Sequence, residues 1–313
     1  MGRFGNQSKI VAYTLAGLLT EGSFGGSLCG QQPDVVFRTD TRLVRMLATV
    51  KNASGELVST LSKEDFTISD NGVSQQIAVF ERQSAQPLSI SLLLDTSWST
   101  RKDQKITIDS ASRFLNALIK EGNPDNTAAL YTFNGQVTLR STFTRDFSKL
   151  EQGLKDLDSD SGSSIYDAIY LASRDLGRRE GPHIIVIVTD GTDTTSKKKF
   201  RDAVEALQRA DVVFYSVVLV PVTASAGRNT GGEHALATVA ELAGGRAFTP
   251  TGNQLDASFA GILEAFKTQY YLAYYPRGVA QGDRNYHKVK IELPARTDLR
   301  VSARSGYYGD TGR

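Results

Sequence analysis

The sequence predicts an α/β protein: a doubly wound, mostly parallel sheet inserted in a small β module formed by N- and C-terminal segments. Two observations predict it. Short, near-continuous apolar runs alternate with helical patterns through the middle of the chain, as in a parallel sheet covered on both faces. Segments of strand-like character, separated by turn residues, stand before and after that region. The 313 residues include 36 Lys+Arg against 34 Asp+Glu, with 40% hydrophobic and 22% charged residues. That balance argues against nucleic acid as a partner, and the apolar content argues against disorder.

Arg3 and Lys9 precede the apolar stretch Ile10–Leu19, and the small-residue segment Gly22–Gly30 follows. A basic start, a short apolar core and a small-residue exit describe a secretory signal peptide over 1–30. An unstructured leader or a first helix would use the same residues; the polar Gln31-Gln32-Pro33 favours a mature start there. The core is about 10 residues, short of the ~20 that cross a bilayer, and no other stretch would span a membrane in the mature chain. Acylation at Cys29, as in a lipoprotein, is disfavoured by Leu28 where a small residue is preferred. The reading is therefore an exported protein, periplasmic or extracellular.

Residues 34–86 form the N-terminal β segment. Leu43–Val50 alternates loosely, Asn52–Gly55 turns, and Phe66–Ser69 resumes. Asp70-Asn71-Gly72 is a hairpin signal leading to Ile77–Phe80. Residues 87–269 form the α/β region. Leu88–Leu94, Ala128–Phe133, His183–Val188 and Val212–Val218 read as strands. Ile106, Ala111, Phe114, Leu115, Leu118 and Ile119 recur at helical spacing, and further helices fall at Ile165–Leu176, Lys198–Arg209, His234–Leu242 and Leu255–Gln269. Residues 270–310 return to strands at Tyr270–Tyr275, His287–Leu293 and Leu299–Ala303.

One cysteine and three separated histidines leave no Cys-based zinc site and no His cluster, so ligand chemistry rests on oxygen. Three segments carry it, each where a parallel strand or its loop runs out: Asp95-Thr96-Ser97-Trp98-Ser99, Ser161–Ala168 and Thr189-Asp190-Gly191-Thr192-Asp193. Asp95, Ser97 and Ser99 can turn to one point from a tight loop. With Ser163 and Asp190 they supply two carboxylates and three hydroxyls. Hard oxygens with two charges suit Mg²⁺, and the same donors leave Mn²⁺ and Ca²⁺ open. Such a set does not fill a coordination shell, so a partner's carboxylate fits the remaining position.

Asp-x-Ser-x-Ser after the first strand, a small-residue loop before Tyr166-Asp167-Ala168, and Thr-Asp-Gly after a later strand resemble a von Willebrand factor type A domain over Pro87–Gln269. The resemblance implies a Rossmann-like fold and a metal-ion-dependent adhesion site. In that site Ser97 and Ser99 coordinate the metal directly, and Asp95 and Asp190 do so directly or through water. Ser163 stands where the family has threonine, with Ser164 offering the same hydroxyl next door. Trp98 replaces a common glycine and would pack on the rim or contact a ligand. The segments Phe37–Val44, Tyr270–Pro276 and Ser305–Tyr308 also resemble a secreted bacterial group known from Acidobacteria as von Willebrand factor A-related proteins.

Among the remaining residues, Asp193 reads as a loop cap and Asp167 as a first-turn acid answering the helix dipole. Lys197–Lys199 reads as a solvated helix start, the tyrosines at 270, 271, 274 and 275 as β-core and edge residues, and Gly227–Gly232 as a flexible surface loop. The function expected is an exported, non-enzymatic binding or adhesion module that captures an Asp or Glu of a protein partner. A metal-dependent hydrolase is the alternative, but Ser97 stands where aspartyl phosphatases place a second Asp. An intracellular scaffold serving an ATPase is the other, and an uncleaved N-terminus would favour it.

Overall fold

Four short strands open the fold: β1 (Val44–Lys51), β2 (Thr67–Asp70), β3 (Val73–Gln75) and β4 (Ile77–Arg82). The structure is a computed structural model that describes residues 43–82, 86–220, 229–251, 254–279 and 285–309. The signal segment 1–30 and Cys29 lie outside the described residues. Asn71 and Gly72 take φ of 48° and 83°, the paired left-handed geometry of a two-residue hairpin. Its returning strand is β3 and not the expected Ile77–Phe80. The chain then crosses, and β4 joins a different sheet. Gln75 marks the crossing, with its Nε2 donating to the Arg277 carbonyl at 3.0 Å and its Oε1 accepting from the Arg277 N–H at 2.9 Å.

The α/β region follows as β5 (Ser89–Asp95), α1 (Gln104–Asn116), β6 (Thr127–Phe133), β7 (Val137–Thr144) and α2 (Phe147–Gly153). It continues through α3 (Ile165–Leu176), β8 (His183–Thr189), α4 (Phe200–Arg209) and β9 (Val212–Val218). It closes with α5 (Thr230–Leu242), β10 (Arg246–Phe248) and α6 (Leu255–Thr268). The sheet order is β10-β9-β8-β5-β6-β7, parallel except for β7 against β6. Every residue of β5, β8 and β9 is buried. Strand alternation sends Leu92 and Leu94 into one core with Phe114 of α1 and Ile262 of α6. It sends Leu93 into the other with Ile169 of α3, Leu207 of α4 and Val239 of α5. Each such Leu or Ile adds about 1.5–3 kcal/mol.

β7, α2 and β10 have no counterpart in the sequence expectation. β7 is an edge strand whose side chains are half or fully exposed, so it shows no apolar run. β10 is too short to show a period. Ile106 departs from its expected place, being 46% exposed. The buried stripe of α1 steps back from Ala111 and Phe114 to Thr107 and Ser110, each one turn earlier.

The last strands are β11 (Tyr270–Tyr274), β12 (Tyr286–Glu292), β13 (Arg300–Ala303) and β14 (Gly306–Tyr308). N- and C-terminal strands mix in two antiparallel sheets, β13-β1-β11-β4 and β14-β12-β2-β3, which share one core. Arg82, at the end of β4, sits directly opposite Tyr270, at the start of β11. The α/β region thus leaves and re-enters the β module at one point, which is what an insertion requires. Arg304 joins the two parts. It is 4% exposed, pairs with Asp211 at 2.7 Å just before β9, and donates to the Arg45 carbonyl at 2.6 Å. The β module therefore adjoins the amino ends of the parallel strands. Of the four tyrosines, Tyr270, Tyr271 and Tyr274 are buried and Tyr275 is exposed.

Asp70 holds the β module together from its centre. It is fully buried, and its Oδ2 accepts from the Tyr274 and Tyr307 hydroxyls at 2.9 and 2.8 Å. Its Oδ1 lies 3.2 Å from Nδ1 of His287, whose ring stacks on Tyr307. Burial, and then the Asp70 charge, raise both phenols, keeping them protonated donors. Removing one partner of such a buried set strands the others. Asp70→Ala is expected to lower the unfolding free energy by about 3–5 kcal/mol, and Tyr307→Phe by only about 1 kcal/mol. Urea denaturation measures both, and an Asp70→Ala loss as small as that of Tyr307→Phe would refute the assignment.

Candidate metal centre

β5 and β8 are neighbouring parallel strands, so their last residues, Asp95 and Thr189, emerge side by side at the carboxyl edge of the sheet. The Thr189 hydroxyl donates to Asp95 Oδ2 at 2.5 Å, and the Ser163 hydroxyl to the same oxygen at 3.1 Å. The Ser97 backbone N–H donates to Oδ1 at 2.8 Å. Asp95 is 5% exposed. Burial pushes its carboxyl up to about 6; hydrogen bonds from Ser97 and Thr189 oppose the rise, and the Asp190 charge adds to it. The charge of Asp190 thus reaches Asp95 from 95 positions further along the chain.

The first loop is a single tight turn. Ser97 precedes the 3₁₀ segment Trp98–Thr100, and the Ser97 and Ser99 hydroxyls lie 3.0 Å apart. Thr100 locks it, its buried hydroxyl donating to the carbonyls of Asp95 at 3.0 Å and Ser97 at 2.9 Å. Asp160 braces the outside by backbone alone: the Trp98 N–H donates to its carbonyl at 3.0 Å, and its own N–H donates to Thr96 at 3.2 Å. The Trp98 ring is 63% exposed, with its indole N–H on the Ser159 carbonyl at 3.3 Å. It sits on the rim.

The second and third loops interlock. The Ser163 N–H donates to Thr194 Oγ1 at 2.9 Å, and the Thr194 N–H returns to the Ser163 carbonyl at 2.8 Å. Ser164 is engaged elsewhere, with Thr195 Oγ1 at 2.8 Å and the Gly135 carbonyl at 3.2 Å, so Ser163 is the serine that reaches Asp95. Asp193 does cap a helix, but one earlier in the chain: its Oδ1 accepts from the Ile165 N–H at 2.8 Å, at the start of α3. Asp167 answers in the other direction, accepting from the N–H groups of Lys197 at 3.0 Å and Lys198 at 2.7 Å. Lys198 also lies 4.2 Å from the Tyr170 ring centroid.

Asp190 is half-buried, and its Oδ1 accepts from the Thr192 N–H at 2.9 Å. Gly191 follows with φ of 85°. The expected flexible loop at 227–232 is corrected here for its described part. Asn229 is the N-cap of α5, accepting from the Gly232 N–H at 2.9 Å, and Gly231 and Gly232 form the first turn. Gly232 presses on the third loop so closely that an added Cβ would stand 1.9 Å from the Gly191 carbonyl oxygen. Thr189, Thr100 and Gly232 escaped the sequence reading. Thr189 alone carried a signal, as the last residue of an apolar strand inside a motif already singled out.

Residues 90–192 match the von Willebrand factor type A domain family, and the chain carries a domain of that class. The match includes all five oxygen donors. Among solved structures, the vWF domain of the type V pili tip protein Mfa5 from Porphyromonas gingivalis is 14% identical, covering 57% of this chain and 94% of its own at a TM-score of 0.48. An aerotolerance-related membrane protein from Bacteroides fragilis is 18% identical, covering 57% and 98% at 0.45. The conserved hypothetical protein BatB from Bacteroides thetaiotaomicron is 18% identical, covering 58% and 100% at 0.45. No curated protein matches.

The contact of α5 with the third loop is testable by its sign. Alanine in place of a helical glycine is normally favourable by about 1 kcal/mol. Gly232→Ala is expected instead to destabilise by about 1–3 kcal/mol, because its methyl group meets backbone. A raised Tm in thermal unfolding would contradict this packing.

Proposed function

We propose that this chain is a binding module in which Asp95, Ser97, Ser99, Ser163 and Asp190 hold one divalent cation and leave a position for an Asp or Glu of a protein partner. The observation that carries the reading is the convergence of three loops on Asp95, through the Ser97 N–H, the Ser163 hydroxyl and the Thr189 hydroxyl, with oxygen spacings that a cation could bridge. Ligands at about 2.1 Å in an octahedron stand about 3 Å from one another along its edges. The Ser97 and Ser99 hydroxyls are 3.0 Å apart, and the Ser163 hydroxyl is 3.1 Å from Asp95 Oδ2. The donor set fits Mg²⁺ first, with Mn²⁺ and Ca²⁺ as alternatives. Among the described residues no group of three or more His, Cys, Asp or Glu side chains is placed to hold a metal, and the set proposed here has two carboxylates, the rest of its donors being hydroxyls.

Asp95 and Asp190 bring the charge that a cation requires, and the serine hydroxyls orient without adding more. Thr189 fixes Asp95 from behind. A cation bound here would supply positive charge for an incoming carboxylate, while Trp98 on the rim would meet the residues beside it. Asp95 is contacted by two hydroxyls and one backbone N–H, which hold its carboxyl group in place for a cation. Export completes the proposal on the strength of the leader alone. Among the described residues no helix is long and apolar enough to cross a membrane.

Isothermal titration with Mg²⁺ and Mn²⁺ tests the site. Binding is expected for the wild type, absent in Asp95→Ala, and about 10- to 100-fold weaker in Thr189→Val, which removes the donor to Asp95 and the acceptor of the Gly191 N–H. An isotherm unchanged in Asp95→Ala would remove the site from consideration.

A further inference from the structure

A cleft of about 680 Å³ opens where β1, β13 and the turn after β1 meet β9, β10 and α6. Its size suits a small organic molecule, and junctions between modules are where such sites form. Lys51, Arg246 and Arg300 line it. Lys51 and Arg300 stand directly opposite each other across the β1–β13 pair, where like charges repel. Lys51 is half-buried, and burial together with the Arg246 charge lowers its pKa.

Among the described residues no ion pair engages Lys51, Arg246 or Arg300. Two carboxylates share the lining, but Glu56 is held by Asn52 Nδ2 at 2.7 Å, and neither Glu56 nor Glu264 forms an ion pair with the cations. Leu57, Phe248, Ala265 and Val301 add apolar surface to a lining that also holds the polar Thr49, Asn52, Tyr215 and Ser302. The Arg246 guanidinium lies 4.7 Å from the Phe248 ring centroid, with its charge on the edge of that surface.

We propose that this cleft binds a small organic anion, with a carboxylate, sulfonate or phosphate group facing Lys51, Arg246 and Arg300 and an apolar body against Leu57, Phe248 and Val301. This site is independent of the metal centre. An anion there relieves the repulsion between β1 and β13 and touches both the β module and the α/β region. Its binding therefore raises the stability of the whole folded chain.

Titration of the full chain with 8-anilinonaphthalene-1-sulfonate, an aromatic sulfonate that fluoresces when bound, tests the proposal. One saturable site is expected, weakened by salt and accompanied by a raised Tm. Lys51→Ala with Arg246→Ala should weaken it by about tenfold or more, while Lys290→Ala, at an exposed cation outside the cleft, should bind as the wild type does. If the double variant does not fold, Arg300→Ala on its exposed position carries the same comparison. Equal affinity in the charge-removed variants, or unsaturable binding indifferent to salt, would overturn the proposal. Loss of binding in Lys290→Ala would do so as well.

Discussion

A carboxylate at the end of a fully buried strand imposes the central constraint on this molecule. Asp95 finishes β5, with both faces of the strand covered by helices, and is itself 5% exposed. Burial disfavours its charge, so donors must converge on it. They come from three separate stretches: the Ser97 N–H, the Ser163 hydroxyl and the Thr189 hydroxyl. Satisfying one acid thus draws three loops to a point. The outer bracing by Asp160, Asp193 and Asp167 then holds the loops through backbone N–H and carbonyl groups.

The same solution appears a second time, with a different outcome. Asp70 in the β module also collects three partners, but these are Tyr274, Tyr307 and His287. Large rings surround the acid and close over it, giving a structural knot. Around Asp95 the donors are a backbone N–H and two small hydroxyls from the loops at the strand ends. One buried acid therefore ties together the β module, while the other ties together three loops.

The β module lies away from those loops. Its strands adjoin the amino ends of the parallel sheet, through Arg304, Asp211 and the pairing of Arg82 with Tyr270. The candidate metal loops lie at the opposite, carboxyl ends. The junction leaves a basic cleft of its own, so a charged partner and a small anion would meet different surfaces of the chain.

Much of this was legible in the chain by itself. A run such as Leu88–Leu94 is apolar because both faces of its strand are covered, and that pattern needs no coordinates. The Ile165–Leu176 stripe and the Asp70-Asn71-Gly72 turn are local in the same sense, as is the spacing of Asp95, Ser97 and Ser99. Tertiary structure decided what depends on contact between distant segments. It sent β4 away from its hairpin and gave Asp193 to a helix earlier in the chain. It also set Thr189 behind Asp95, and pressed Gly232 against Gly191. Local periodicity reports which side of an element is covered, but not by what; a hydroxyl or a glycine carries no mark of its partner until the chain brings the two within reach.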